Sequence, residues 1–461
     1  MAGQDRMWAS CARLVARSLA AVAIALALAP PSSAAVRTYK LRHGPVTLGS
    51  FQTKYPVPIV RTPKRSGYVV GMNSRLVDRR GRPISIKRVM LHHVVFINGG
   101  HPGGPDKLSS CPGRRGEPFY GTGEERQRLI LPRGYGYRVH ARDRWRAVAM
   151  YMNHGKQAQR VYLEYTVKIE TSKRLEPVRP LWLRANGCDA QSSYTVPGGG
   201  PPGSVDVRSH DWKVPINGRI VAAGAHLHGS AKSMEINQLR CSERTLLTHK
   251  PRWGMRSDPV YRVRPNLHEP GPIATGYFLS RTGIPVRAGE YLRVTGRYDA
   301  EIPHPLVMAI THVYIARDMG ASRTCDPLPA DRRIHWTRKN GRASVPPAQV
   351  PLTGLDAKGR FVELPNARGP QVVAGSSATA DLVEDRFKPS NLSIARGGRV
   401  TWLFRDPGIH NVLLANGPRA VDSPLGRAGA AYSRSFPVPG RYNLFCYLHP
   451  VTMHQTVTVR K

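Results

Sequence analysis

Glycine and proline interrupt this chain throughout and limit how long any regular element can be. The 461 residues include 44 glycines and 40 prolines, which is above average usage. Between these breaks lie segments in which apolar and polar residues alternate, such as RVYLEYTVKIE from Arg160 to Glu170. A period of two indicates strands with one buried face, and no helical repeat competes with it. We therefore predict an all-β protein.

The chain is too long for one hydrophobic core, and its composition predicts several parts. We expect a signal peptide at 1–35, a first β-sandwich at 36–176, a second at 177–327, a linker rich in proline, glycine and charge at 328–370, and a third β-sandwich at 371–461. Strand-like alternation recurs in GRIVAAGAHLHG, EYLRVTGRYDA and VMAITHVYIA of the second sandwich and in NLSIARGGRVTWLF of the third.

The first 35 residues have the pattern of an export signal. Arg6, Arg13 and Arg17 precede the apolar run LAAVAIALALA, and the small residues of PPSSAA suit cleavage near Ala35. The run is too short for a membrane-spanning helix, and no later segment is long enough. An uncleaved membrane anchor is the alternative. We expect a secreted protein of the periplasm or cell envelope, with no membrane span after the signal is removed.

Export changes how the cysteines are interpreted. In an oxidising compartment Cys111, Cys188, Cys241 and Cys325 are expected to form two disulfides, with three possible connectivities. Cys446, near the C-terminus, is then an unpaired thiol that requires another role.

The formal net charge is +39 at pH 7, from 69 Lys plus Arg against 30 Asp plus Glu. The basic residues are spread along all segments, and an exported protein has no genomic target, so we do not expect nucleic acid as a partner. An anionic cell-envelope polymer or an acidic partner fits this charge, and so does a role in solubility alone.

A short C-terminal segment, FCYLHPVTM, combines three side chains that bind soft metals. Cys446, His449 and Met453 form C-x2-H-x3-M, and DPGIHNVLL supplies His410 upstream. Two imidazoles, one thiolate and a weak axial thioether are the ligand set of a type 1 copper site. Taken singly, each residue is more often structural, and a C-x2-H pair is also half of a zinc site.

At these residues the chain resembles the cupredoxins, the plastocyanin and azurin superfamily, over roughly Thr379 to Lys461. The resemblance implies a Greek-key β-sandwich that transfers single electrons through one type 1 copper. It also implies that His449 lies near the surface patch where electrons enter and leave, and that Asn411 ties the ligand loops together. His454 departs from the pattern and is expected to face away from the metal, with competition as a ligand as the alternative.

Further histidine and methionine motifs occur in the first two β regions. VMLHHVVF contains His92 and His93, YMNHGK contains His154, GAHLHGS contains His226 and His228, and HPLVMAITHVYIA contains Met308. In a strand, side chains two residues apart share a face, so His226 and His228 can bind one ion. His92 and His93 point to opposite faces unless the strand bulges. Each motif alone is more often structural.

The order of these motifs resembles the copper type II monooxygenases typified by peptidylglycine α-hydroxylating monooxygenase, and also the stress-upregulated nodulin proteins. The resemblance covers roughly Tyr68 to Ala316. It implies two jelly-roll-like domains, each with a separate single-copper site facing a common cleft. It also implies a disulfide between Cys188 and Cys325 that brackets the second domain.

The two copper sites have different implied roles. His92, His93 and His154 hold the copper that stores electrons. His226, His228 and Met308 hold the copper that binds dioxygen and hydroxylates a C–H bond, which makes these three the catalytic residues.

Three functions are compatible with the motifs. The first is an exported copper monooxygenase whose own cupredoxin domain passes on electrons from a redox partner protein or a small reductant, with dioxygen as co-substrate. The second is a non-catalytic electron-transfer or copper-holding protein of the cell envelope. The third is an envelope-binding module that acts through its positive surface.

Overall fold

The computed structural model describes residues 36–172, 174–189, 191–255, 257–320, 325–338 and 349–461. Regular structure in these residues consists of strands and two short 3-10 helices, which confirms the all-β prediction. No helix in the described ranges is long and apolar enough to cross a membrane. The expected signal peptide lies outside the described residues.

The first predicted region forms two facing sheets. Its strands are β1 (Val36–Leu48), β2 (Thr53–Lys54), β3 (Ile59–Val60), β4 (Gly67–Val77), β5 (Val89–Asn98), β6 (Glu117–Thr122), β7 (Leu129–Ile130), β8 (Tyr135–Val139), β9 (Trp145–Asn153) and β10 (Gln159–Glu170). One sheet has the order β2-β9-β5-β6, with β3 added to β9. The other contains β1, β10, β4 and β8, and between the two lies a core that includes Leu91, Phe96 and Leu163.

The second region repeats this two-layer arrangement. Its strands are β11 (Glu176–Arg184), β12 (Tyr194–Val196), β13 (Val205–Lys213), β14 (Gly218–Leu227), β15 (Ala231–Gln238), β16 (Arg244–His249), β17 (Tyr277–Val286), β18 (Tyr291–Asp299), β19 (His304–Val307), β20 (Ala309–Arg317) and β21 (Arg333–His335), with 3-10 helices η1 (Leu239–Cys241) and η2 (Pro259–Arg262). The sheet β13-β18-β15-β16 packs on β11, β14 and β20 around Ile220, Met234 and Val313.

One long sheet connects these two regions. Its order is β1-β10-β4-β8-β11-β20-β14-β17-β21, with β7 beside β4. The connection is a short parallel pairing of β11 with β8, in which Glu176 faces Tyr135. The core of the first region also includes Val221, Tyr277 and Tyr314 from β14, β17 and β20. The two sandwiches therefore share a sheet and part of a core.

The C-terminal region has a sandwich of its own. Its strands, with the hairpin that precedes them, are β22 (Thr353–Leu355), β23 (Phe361–Glu363), β24 (Gln371–Val373), β25 (Ser377–Val383), β26 (Arg386–Lys388), β27 (Asn391–Ile394), β28 (Arg399–Phe404), β29 (Leu413–Asn416), β30 (Ala431–Ser435), β31 (Gly440–Phe445) and β32 (His454–Val459). Sheets β24-β27-β32-β31-β29 and β26-β25-β28-β30 enclose a core around Trp402 and Leu444. The segment predicted as a linker thus contains β21, which pairs with β17, and the β22–β23 hairpin.

The disulfides join Cys111 to Cys188 and Cys241 to Cys325, so the implied Cys188–Cys325 pairing is wrong. Each cysteine pairs with the segment beside it in space. The loop that holds Cys111 lies against the end of β11, where Arg114 donates to the Asp189 carbonyl at 3.1 Å. Cys446 is buried and is the free cysteine of the described residues.

Candidate metal centres

The C-terminal motif forms a tight loop between β31 and β32. The Cys446 N–H donates to the Met453 carbonyl at 3.1 Å, while the His449 N–H donates to Cys446 and the Met453 N–H to His449, each at 3.0 Å. This short ladder closes the loop on itself and brings three predicted ligands together.

His410 reaches the same place from a separate segment just before β29. Two backbone hydrogen bonds with Gly426, at 3.0 and 2.9 Å, fix it. The Sγ atom of Cys446 lies 4.0 Å from His410 Nδ1 and 3.9 Å from His449 Nδ1, and the three ligand atoms all lie within 4.8 Å of one another. Cys446, His410 and Met453 have no exposed surface, whereas the His449 side chain is 30% exposed.

The surroundings of this site hold its loops in place. Asn411 Oδ1 accepts the Tyr447 N–H at 3.1 Å, which is the kind of link between ligand loops that the cupredoxin resemblance implies. Burial raises the pKa of the Cys446 thiol, so a bound cation is what would stabilise its thiolate here. His454 lies on β32 and lines a different pocket together with Arg386.

Upstream, a bulge in β5 aligns two adjacent histidines. The register between β5 and β9 shifts between Leu91 and His93, so His92 is the extra residue. As a result the two rings point the same way, with 3.1 Å between His92 Nδ1 and His93 Nδ1. Adjacent strand residues normally point to opposite faces, and a bulge is the exception that was expected to allow these two histidines to converge.

His226 and His228 also converge, at the end of β14. Their Nε2 atoms are 3.2 Å apart. Burial opposes a charge on His226, but Glu125, with Oε2 at 3.1 Å from Nδ1, raises the pKa of this histidine. Met308 follows β19 and, with His93 and His226, lines a cavity of about 90 Å³.

The two histidine pairs are in contact. The ring centroids of His92 and His228 are 5.3 Å apart, whereas the monooxygenase resemblance implied separate sites across a cleft. The reason is that the core of the first sandwich continues onto β14. His154 follows β9, with Nδ1 at 3.2 Å from the Pro265 carbonyl. Burial lowers the pKa of His93 and His154 to about 3 each, so both stay neutral at neutral pH.

Three residues of this cluster were not predicted from the sequence. Glu124 and Glu125 follow β6, and His268 lies between η2 and β17. Glu124 Oε1 is 2.5 Å from His268 Nε2 and 3.8 Å from His92 Nε2. The partners come from loops 144 positions apart, where no periodicity marks them. The available signals were only the acidic pair in GEER after a strand and the HE pair between two prolines.

The histidine cluster and the C-terminal loop face one cavity of about 330 Å³. His92, His93, His228 and Met308 line one part of it, and Asn411, Phe445 and Tyr447 line another. The Tyr447 ring meets the edge of the Tyr55 ring, with centroids 5.5 Å apart. Tyr447, the residue after Cys446, therefore lies on the wall of the same cavity as the histidines.

No family model matches the chain. Amicyanin of Paracoccus denitrificans is 30% identical to it over 81 residues, which is 17% of this chain and 62% of the length of that protein. The chain thus spans less than two thirds of this curated relative. Two solved amicyanin variants are 27% and 29% identical, cover 18% and 19% of this chain and 83% and 85% of their own, and both have a TM-score of 0.17.

The partial identity to amicyanin supports a cupredoxin domain in the chain. The similarity covers less than a fifth of the sequence. The resemblance of residues 68–316 to copper monooxygenases and nodulin proteins stays a prediction.

Proposed function

We propose that this chain is a copper-binding redox protein that transfers single electrons through a type 1 copper site. The observation that carries the proposal is the convergence of His410, Cys446 and His449, with Cys446 Sγ 4.0 and 3.9 Å from the two Nδ1 atoms, in a region where Met453 is fully buried. Nitrogen and sulfur atoms bound to one ion at about 2.0–2.3 Å lie roughly 3.5 Å apart, so the donors fit one metal with little movement. The partial identity to amicyanin supports copper as that metal.

The side chains of this site suit a one-electron role. Copper supplies the Cu(II)/Cu(I) couple, and the mixed imidazole and sulfur donors suit both states. The loop hydrogen bonds and Asn411 hold the donors in place, which limits rearrangement between the states. Burial of Cys446 keeps water away, and the partly exposed His449 offers an edge where electrons enter.

Copper loading tests this proposal. The wild-type chain should bind copper with the intense visible absorption of a thiolate-to-copper transition, and Cys446→Ser should abolish that band. His454→Gln is the matched control, because His454 sits next to Met453 but lines another pocket, and it should keep the colour. A Cys446→Ser protein that retains the band would contradict the assignment.

We further propose that the electrons serve a copper-dependent monooxygenase-like reaction in the upstream cluster. His226 and His228, with Nε2 atoms 3.2 Å apart, and Met308 would hold the copper that activates dioxygen, and His92, His93 and His154 the one that stores electrons. Because the rings of His92 and His228 are 5.3 Å apart, the two ions would be neighbours in one cluster and not separated by a cleft. The reaction converts a C–H bond, dioxygen, two electrons and two protons into an alcohol and water. Two one-electron transfers past Tyr447, from a redox partner protein or a small reductant, would supply each turnover.

The shared cavity supports this second step. Its wall includes apolar side chains, among them Met150, Leu306 and Leu413, beside His93 and His228. Such a lining suits a substrate that presents an unactivated C–H bond and excludes bulk water. The short route from Cys446 through Tyr447 to this wall would connect the donor site with the reacting site.

A single-turnover experiment separates the enzyme from a non-catalytic carrier. The chain is reduced anaerobically and exposed to isotopically labelled dioxygen with candidate substrates. We expect labelled product from the wild type and none from His226→Gln, which should keep its blue colour. If no substrate gains label while the colour is normal, the chain is a non-catalytic electron-transfer or copper-holding protein.

We also propose an extracytoplasmic location, in the periplasm or cell envelope. The two disulfides, Cys111–Cys188 and Cys241–Cys325, support it, because disulfides persist in oxidising compartments. Fractionation of the cells that make the protein tests this, and accumulation in the cytoplasm would contradict it.

A further inference from the structure

A cluster of donors beside the predicted copper ligands has the composition of another kind of metal site. Glu124 Oε1 lies 2.5 Å from His268 Nε2 and 3.8 Å from His92 Nε2, and one ligand atom of each residue lies within 4.8 Å of the others. The rings of His92 and His268 are 4.9 Å apart. Two imidazoles and one carboxylate thus converge from β5 and from two loops.

The second observation is a buried imidazole nitrogen without a hydrogen-bond partner. His154 is 3% exposed, and among the described residues its Nε2 has no hydrogen-bond partner. Its Nδ1 lies 3.2 Å from the Pro265 carbonyl, which can only accept, so Nδ1 carries the proton and Nε2 keeps its lone pair. A histidine whose other nitrogen donates to a carbonyl has the arrangement of a metal ligand. Pro265 precedes His268 by three residues, so His154 packs against the segment that carries His268.

The carboxylate is held in a form suited to binding a cation. Glu124 Oε2 accepts the Gly271 N–H at 2.9 Å. The Glu124 side chain is 6% exposed, and its Oε1 faces both His268 and His92. The neighbouring Glu125 is also buried and has its own partner, with Oε2 at 3.1 Å from His226 Nδ1. A carboxylate as buried as that of Glu124 is stabilised by a paired or bound cation.

We propose that His92, His268 and Glu124, with His154 beside them, bind a divalent first-row transition-metal ion. This site goes beyond the proposed function, because Glu124 and His268 lie outside every predicted copper site. It shares His92 and His154 with the proposed electron-storing copper, so the two ions are alternatives at these side chains. Two imidazoles and a carboxylate with open positions are typical of Fe(II), and imidazole also suits Zn(II) and Co(II). The set contains no sulfur, so it does not favour Cu(I). In the bound state the metal takes the place of the proton shared by His268 and Glu124.

Cobalt(II) is the probe, because its visible bands report the ligands directly. The full chain carries Cys446→Ser, so that the thiolate site contributes no colour, and is titrated with Co(II) while the bands and the bound equivalents are recorded. Glu124→Gln keeps the size of the side chain and its acceptor for Gly271, and His268→Gln removes one imidazole. Each should lose one Co(II) equivalent, or weaken its binding by about 100-fold or more.

Two controls make the result specific. His101→Gln alters a separate group, in which His101 Nδ1 lies 2.7 Å from Asp143, and should leave that equivalent unchanged. His226→Gln alters the neighbouring histidine pair and should also retain it. Far-ultraviolet circular dichroism verifies that each variant is folded. If Glu124→Gln and His268→Gln bind the same number of Co(II) ions with the same bands and affinity as the parent, the Glu124–His268 contact is only an ion pair and the proposal fails. Neither outcome depends on the blue copper site.

Discussion

His92 is the residue at which β5 loses its register with β9, and this one irregularity determines where two imidazoles point. Without the bulge, His92 and His93 would face opposite sides of the sheet. With it, their Nδ1 atoms are 3.1 Å apart, and His92 still directs Nε2 toward Glu124. A single inserted residue thus allows neighbouring histidines to serve two adjoining groups of donors.

A buried histidine outside the predicted metal ligands predicts a pH dependence of stability. His249 is 2% exposed, its Nδ1 lies 3.2 Å from the Gly276 carbonyl, and burial lowers its pKa to about 4. The unfolded chain binds a proton at this residue below about pH 6.5, whereas the folded chain does not until about pH 4. Stability should therefore fall as the pH drops through this window, by up to roughly 3 kcal/mol at 1.36 kcal/mol per pH unit.

Denaturant unfolding at about pH 7 and about pH 4.5 measures this contribution. His249→Gln should reduce the difference in unfolding free energy between the two pH values. His335→Gln, at an exposed position on β21, should leave it unchanged. An unaltered difference in the His249 variant would show that other groups cause the acid sensitivity.

The candidate metal ligands that could be predicted from the sequence are those that lie close to one another along the chain. Cys446, His449 and Met453 share one loop, and the spacing of His226 and His228 already indicated convergence. Glu124 and His268 could not be predicted in this way, because their meeting depends on how two loops pack across the sheets. The predicted pairing of Cys188 with Cys325 was wrong for the same reason. The observed partner, Cys111, is set by the position of the loop that holds it.

At the scale of elements, the C-terminal metal site depends on how two loops are joined. The loop after β31 contains three predicted ligands, and the segment before β29 contains the fourth, His410. Asn411 is 1% exposed and bridges them by accepting the Tyr447 N–H at 3.1 Å. Each segment has its own backbone hydrogen bonds, and the Asn411 link joins the two, so it helps to set the spacing between them.

Removal of this bridge should weaken both stability and the metal site. Asn411→Ala leaves the Tyr447 N–H without its acceptor in a buried place, and we expect a loss of about 1–3 kcal/mol in unfolding free energy. Denaturant titration measures it, and a broadened or shifted visible band would report loosened donors. Asn73→Ala, at an exposed position on β4, should change stability by less than about 0.5 kcal/mol. Equal effects of the two substitutions would show that the bridge contributes nothing.

At the scale of the whole molecule, the C-terminal loop packs against the rest of the chain. Val451, between His449 and Met453, belongs to a buried cluster with Met90, Met150 and Met152 from β5 and β9. On the adjoining hairpin, Thr353 donates to the Pro450 carbonyl at 3.3 Å. These contacts hold the loop between β31 and β32 against the sheet that contains β5 and β9.

If electrons cross this contact, Tyr55 should affect their rate. This prediction rests on the proposed function. Tyr55→Leu removes the ring that meets Tyr447, so transfer from the C-terminal copper should slow while the blue colour persists. Flash reduction followed by recovery of the visible band measures it, and Tyr291→Leu, exposed on β18, is the control. An unchanged recovery rate in Tyr55→Leu would exclude this route.

The packing of Val451 also determines how the rate of electron transfer between the two proposed sites would depend on protein concentration. Two separate proteins meet by diffusion, and the frequency of their encounters falls with concentration. A tethered pair has a constant effective concentration, on the order of millimolar even for a short flexible linker. Here the loop is already docked, so the internal step should be first order at any dilution, and only the delivery of electrons from outside should depend on the concentration of a second molecule.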